Sequence, residues 1–238
     1  MARACKGSRA ISVGDGLMAD FALQRRMMVD CQLRTYDVTS AAVLAAMDET
    51  PRELFLDPEQ RSFAYVDRPL TVQAPGGGRR TMLTPMVFAR LVQAAKIDPE
   101  DRVLDVACGT GYSSAVLAQL AGSVVALESD QGLAARASEL LGGVAADNVT
   151  VTVGALKDGH PAGAPYDVIV VNGAFEVEPT ALFSQLRDGG RLVGVFGAGR
   201  AAKAMVYLKS GDVIGGRAIF DAAAPLLDDF KSAQTFVF

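Results

Sequence analysis

The chain has 238 residues, 50% of them hydrophobic and 21% charged, a balance that excludes a disordered polypeptide and supports one large core with appendages. Its net charge of −4 leaves no basic footprint for gripping phosphates, which argues against a dedicated binder of nucleic acid or anionic membrane and favours a small molecule or another protein as partner. Every apolar run is interrupted by Asp, Lys, Arg or Gly before the roughly 18 residues needed to span a bilayer.

Asp15 and its flanking glycines break the first apolar stretch before it reaches signal-peptide length, and because an apolar period begins directly after Met18, residues 1–17 read as a loose tail or a misassigned start. The cysteines Cys5, Cys31 and Cys108 are odd in number and widely spaced, and His160 is the single histidine. Neither a disulfide framework nor a metal site is expected from them, and a cytoplasmic location follows as the expectation. From Phe21 to Met47 apolar residues recur at helical spacing, with Thr39 and Ser40 as caps of a second helix. Residues 51–80 carry Pro51, Pro58, Pro69 and Pro75 and the run Gly76-Gly77-Gly78, which predicts loop with short helical and extended pieces. The glycine run is expected to act either as a mobile lid or as a plain linker. Thr84 followed by Pro85 marks a helix start, an N-cap and a proline whose missing N–H costs nothing at the first helical position.

Beyond Pro99 the pattern alternates between strand and helix. Apolar runs at RVLDVA, SVVALES, NVTVTVG, YDVIVVNGA and RLVGVFG are joined by GYSSAVLAQLAG, QGLAARASELLGG, a Gly/Pro/His linker and the helix-like PTALFSQLRDGG. That order predicts an α/β fold: a doubly wound, Rossmann-like, mostly parallel sheet. AMVYLKSGDVIGGRAIF predicts a C-terminal antiparallel hairpin turning at Ser210-Gly211-Asp212. The expected organisation is a tail at 1–17, an N-terminal helical and loop layer at 18–98, and an α/β core at 99–238.

The most informative segment is Asp105-Val106-Ala107-Cys108-Gly109-Thr110-Gly111, where a strand runs into a glycine turn that opens a helix. Such a turn lets backbone N–H groups approach a ligand closely. Glu128, at the end of the next strand, is placed to accept hydrogen bonds from two ribose hydroxyls. A dinucleotide fingerprint would need a third glycine where Ser114 stands. Asp105 beside the loop would repel a pyrophosphate yet suit a ligand carrying ammonium and sulfonium charge. S-adenosylmethionine is therefore the expected cofactor, with NAD or a purely structural turn as the alternatives. Cys108 reads as a small packed residue and His160 as a surface-turn residue. Arg79-Arg80 read either as a guide for an acidic acceptor or as a charged flank, and Asn172 as a donor or acceptor contact at the end of the fourth core strand.

This pattern resembles the class I S-adenosylmethionine-dependent methyltransferases. From about residue 24 onward the chain is similar to one branch of them, the protein-L-isoaspartate O-methyltransferases. The similarity rests on Arg26-Met27-Met28-Val29, Gln32-Leu33-Arg34, Pro51-Arg52-Glu53-Leu54-Phe55, Ala64-Tyr65, Thr81-Met82-Leu83-Thr84-Pro85, the glycine loop, Pro165-Tyr166-Asp167-Val168 and Asp188-Gly189-Gly190-Arg191-Leu192. It implies methyl esterification of isoaspartyl carboxylates in damaged proteins, with a protein or peptide carboxylate, or a small molecule, as acceptor. A carboxylate is already ionised at neutral pH, so the transfer needs alignment and no general base. The resemblance places the cofactor against Asp105, Ala107, Cys108, Gly109, Thr110, Gly111, Glu128, Ser129, Ala155, Leu156 and Asn172, and the acceptor motif at Leu83 and Thr84.

Three departures from the family pattern stand out. Leu83 replaces a hydroxyl residue, Ala155 replaces a carboxylate that receives the adenine amino group, and Ala222-Ala223-Ala224 replace a segment carrying an arginine for the acceptor. They keep open two other readings: a methyltransferase with a different acceptor, and a catalytically silent S-adenosylmethionine-binding homologue.

Overall fold

The computed structural model of the protein describes residues 20–232; the reading of residues 1–17 as a tail lies outside them. The main sheet has seven strands: β3 (Arg102–Val106), β4 (Ser123–Glu128), β5 (Val149–Val153), β6 (Tyr166–Phe175), β7 (Leu186–Phe196), β8 (Lys203–Ser210) and β9 (Val213–Asp221). Their spatial order is β5-β4-β3-β6-β7-β8-β9, with β3 to β7 parallel and the last two antiparallel. The chain winds outward from β3 through β4 to β5, then returns to the other side of β3 with β6. The C-terminal end of β3 is thus a topological switch point, where sheets of this kind place their ligands.

Alternation along the strands splits the interior in two, because successive side chains point to opposite faces. Val103, Val124, Ala126, Val168, Val170 and Val193 face one core, shared with the N-terminal layer and the helices α3 (Pro85–Ala95), α4 (Tyr112–Ala118) and α5 (Gln131–Gly143). Leu104, Leu127, Ile169, Val171 and Leu192 face the other, closed by Tyr166, Leu182, Phe183 and Phe230. The second face is covered more by turns than by helix. The segment expected to be helical before β7 forms only α6 (Thr180–Ser184), and Leu186 already belongs to β7. Gln185 ends the helix by donating from Nε2 to Asp158 O at 2.8 Å, while Gly189 takes φ 74 inside the strand's bulged start.

The N-terminal layer opens with α1 (Phe21–Met28), which continues through one π-helical turn and one 3-10 turn to Tyr36, followed by α2 (Ala41–Glu49). Ser40 caps α2 and Thr84 caps α3 with Pro85 in the first turn, as their local chemistry dictates. The long loop holds two 3-10 turns and a hairpin of β1 (Leu70–Gln73) and β2 (Arg79–Met82), with Gly76 and Gly77 at positive φ in its tip. The hairpin leans on α5, where Arg136 donates to Asp57 Oδ1 at 2.5 Å and to Gln73 O at 3.1 Å. Helix α4 stops at Ala118 instead of reaching Gly122, because Asn148 Nδ2 binds the carbonyls of Ala118 (2.9 Å) and Ala121 (3.0 Å) and fixes a turn there. Among the described residues no helix is long and apolar enough to cross a membrane.

Candidate active site

Strand β3 ends at Val106, and the chain then turns through Ala107 (φ 62), Gly109 (φ 60) and Gly111 (φ 95). Ala107 is a non-glycine residue in the left-handed region, a conformation held only where its surroundings over-determine it. Here they do: the N–H groups of Ala107 and Cys108 both donate to Leu127 O, at 2.9 and 3.2 Å. At Gly109 a Cβ would stand 3.3 Å from Arg80 Cγ, so the glycine lets the side chain of Arg80 lie across the loop.

Asp105 sits fully buried beneath this turn. It accepts hydrogen bonds from Ser113 Oγ (2.7 Å), Ser114 Oγ (2.5 Å) and Asn172 Nδ2 (2.5 Å). Burial pushes its carboxyl up to about 6, against the opposing pull of Ser114, Ser113 and Asn172. Ser114, which stands where a dinucleotide fingerprint would have glycine, is therefore a ligand of Asp105. The carboxylate and Asn172 brace the loop from below.

Glu128 is also fully buried and collects donors from three sides. Gly109 N reaches Oε2 at 3.0 Å, and Ser129 N and Asp130 N reach Oε1 at 2.7 and 3.1 Å. The guanidinium of Arg80, from β2, makes a two-pronged ion pair with the same carboxylate, Nε to Oε2 at 3.1 Å and Nη2 to Oε1. Burial works against the charge on Arg80, but Glu128 overcomes it and raises the arginine's pKa. Arg80, one of the two flanking cations noted in the sequence, is thus part of the site and occupies the acceptor expected to serve a ribose.

A cleft beside the loop is lined by Ala107, Cys108, Gly109 and Asn172 on one side and by Met82, Leu83 and Phe88 on the other. Among the expected site residues it brings together these loop residues and Leu83. The others are placed differently. Thr84 spends its hydroxyl on the cap of α3, accepting from Val87 N at 3.3 Å, and Thr110 Oγ1 donates to Phe55 O at 2.7 Å to tie the loop to the N-terminal layer. Ser129 lies beside Glu128 and receives Arg80 Nη2 on its Oγ at 3.1 Å. Ala155 and Leu156 flank the end of β5, where Leu156 N donates to Asp229 Oδ2 at 2.9 Å. Cys108 is buried and its thiol is pushed well up, first by burial and then by Asp105 and Glu128, which fits a packed residue and no nucleophile. His160 stands apart in the turn before β6, its N–H on Gln185 Oε1 at 2.8 Å. Among the described residues no cluster of His, Cys, Asp and Glu could hold a metal.

The family model for protein-L-isoaspartate(D-aspartate) O-methyltransferase matches residues 24–218. The chain belongs to this family. Protein-L-isoaspartate O-methyltransferase 1 of Rhodopseudomonas palustris is 40% identical over 205 residues, 86% of this chain and 82% of that one. The protein-L-isoaspartate O-methyltransferase of Methanoregula boonei is 42% identical over 186 residues, 78% and 83% of the two chains. Among solved structures, one protein-L-isoaspartate O-methyltransferase superposes with a TM-score of 0.75 at 27% identity, over 85% of this chain and 65% of its own. A Plasmodium falciparum protein described as putative for the same activity and solved with S-adenosyl-L-homocysteine shares the fold, with a TM-score of 0.72 at 16% identity over 86% of this chain and 98% of its own.

S-adenosylmethionine-dependent methyl transfer is the chemistry that goes with this membership. The residues present suit that cofactor. A buried glutamate ends the second core strand, a glycine turn admits close approach, and apolar residues line the cleft where a sulfonium tail would run. The expectations that needed side-chain geometry fared less evenly: Arg52, Tyr112 and Asp229 also stand at the site without having been singled out as ligand contacts, and Arg80 was noted for an acceptor and not for its pairing with Glu128.

Proposed function

We infer that the chain methylates the free carboxylate of L-isoaspartyl residues in proteins or peptides, a repair reaction suited to the cytoplasm. The observation that carries this reading is the extent of the relationship, 40% identity along 86% of the chain; the bond from Gly109 N to Glu128, which joins the glycine loop to the acidic strand end, supports it. Glu128 would hold the ribose diol, the backbone of Gly109 to Gly111 would pass close to the cofactor, and Ala155 and Leu156 would border the adenine. When bound, S-adenosylmethionine supplies a methyl group on a sulfonium, which passes to a carboxylate oxygen as the S–C bond breaks and a neutral thioether leaves. No proton moves, so the chain's task is to align the reactants and exclude water, holding the reacting atoms about 3 to 3.5 Å apart. Leu83, buried against the cleft, would wall the acceptor side without donating a hydrogen bond.

A radiolabelled methyl donor with an isoaspartyl peptide and its aspartyl isomer tests the reading. Base-labile label is expected on the isoaspartyl peptide alone. A protein that binds S-adenosylhomocysteine yet labels neither peptide would refute it. The apolar wall of Met82, Leu83 and Phe88 favours, as a second reading, an acceptor other than an isoaspartyl residue, and label transferred to such a molecule in preference would support it.

A further inference from the structure

Arg52 is the most deeply buried long cation in the site, with 1% of its surface exposed. It stands on a 3-10 turn of the N-terminal layer, and its side chain reaches the cleft wall between Leu83 and Tyr112. Nη2 donates to Leu83 O at 2.8 Å and the guanidinium lies 4.6 Å from the centre of the Tyr112 ring, but buried Nε has no hydrogen-bond partner. Among the described residues no carboxylate lies within ion-pair distance of it. The two nearest in role are already engaged: Glu53 holds Tyr65 and Arg25 (3.6 Å), and Asp67 accepts from Met86 N at 3.0 Å. Burial lowers the pKa of Arg52, with Tyr112 opposing the shift.

A desolvated cation without an anion is costly to maintain, and a ring face and one carbonyl are weak compensation. Its planar fork is suited to a carboxylate. The nucleoside end of the cofactor is placed at Glu128 under the reading above, across the loop from this wall, so a ligand continuing past Ala107 and Cys108 brings its amino-acid tail toward Arg52.

We propose that Arg52 binds the α-carboxylate of the methyl donor, completing a charge that the fold leaves unpaired. This rests on the assignment of S-adenosylmethionine to the site and goes beyond it, since the cleft holds a second, separate polar anchor.

Calorimetry on the full chain tests the assignment with two probes, S-adenosylhomocysteine and 5′-methylthioadenosine, which shares the nucleoside and thioether but lacks the amino-acid tail. In Arg52→Leu, affinity for S-adenosylhomocysteine is expected to fall on the order of ten- to a hundred-fold, while affinity for 5′-methylthioadenosine stays unchanged. Arg52→Lys, which keeps the charge but not the fork, should lie between. Should Arg52→Leu not fold, the wild-type chain decides by itself: decarboxylated S-adenosylhomocysteine should bind correspondingly more weakly than the parent. Equal losses for both probes, or equal affinity of the wild type for the parent and decarboxylated ligands, would overturn the proposal. So would an Arg52→Lys variant with unchanged S-adenosylhomocysteine affinity and a raised KM for the isoaspartyl peptide, which would assign Arg52 to the acceptor. Failure of the wild type to bind either probe would instead remove the cofactor assignment on which the proposal stands.

Discussion

Arg80 offers a perturbation whose two effects have opposite signs. Its guanidinium is paired with Glu128, whose carboxylate is wholly buried, and the arginine side chain itself is only 15% exposed. A ribose diol that takes the same carboxylate oxygens must displace it. Hydrogen bonds to charged groups contribute about 1.5 to 3 kcal/mol each, and part of that is offset by desolvating both ions, so the pair stabilises the fold by about 2 kcal/mol net. Glu128 keeps its three backbone donors from Gly109, Ser129 and Asp130 when the arginine is removed, so the carboxylate stays hydrogen-bonded. In Arg80→Ala, unfolding by urea should therefore show a loss of about 2 kcal/mol, and S-adenosylhomocysteine should bind tighter by up to the same amount, about thirty-fold in Kd. Titration calorimetry beside the urea series reads both quantities on one preparation. Glu128→Ala removes the shared acceptor and should lose binding whether or not Arg80 is present. If Arg80→Ala weakens binding in step with Glu128→Ala, the arginine holds the ligand and does not compete with it, and the reasoning fails.

Three further outcomes follow from particular contacts. Because the Asp105 carboxyl is displaced from 3.8 to about 6, the native state retains a proton that the unfolded chain has lost; the contribution of this group to stability should be full below about pH 4, be lost by about 3 kcal/mol as pH rises to about 6, and stay lost above. Asp105→Asn should remove that decline from a urea series across pH 4 to 7, and parallel wild-type and variant curves would contradict the assignment. At Gly78 a Cβ would stand 2.0 Å from Asp130 Oδ2, and Asp130 Oδ1 caps α5 by accepting from Leu133 N at 2.8 Å. Gly78→Ala should cost about 1 kcal/mol by dislodging that cap, and the cost should vanish in an Asp130→Ala background; additive thermal shifts would show that the two do not act through one contact. Ala155, exposed at the end of β5 with φ −65, can take a longer side chain, so Ala155→Asp should tighten S-adenosylhomocysteine about ten-fold through the adenine amino group, and an equal gain for the 6-oxo purine analogue would count against that contact.

Features encoded by neighbours along the chain were legible before any coordinates. The caps at Ser40 and Thr84, the turn at Gly211, the alternating strands and the glycine loop all depend on contacts within a few residues, so residue type and spacing suffice. Helix ends were less legible where a distant side chain intervened: Asn148 ends α4, and Gln185 ends α6. The same distinction runs through the site. Glu128 and Asp105 were marked by their positions at strand ends, but what each carboxylate touches was not.

By itself the sequence determined the order of strands and helices, the glycine loop at the end of β3 and the family to which the chain is similar, because these rest on short-range chemistry and on motifs in a set order. Only the tertiary structure decided that Arg80 sits on Glu128, that Ser114 and Asn172 converge on Asp105, that Asp229 reaches Leu156, and that Arg52 is buried without a carboxylate. Those pairs join residues 9 to 73 positions apart, and their energies depend on burial, which raises the strength of a charge interaction and the cost of an unpaired charge together. Burial is a property of the assembled layers, so no local pattern of residues carries it.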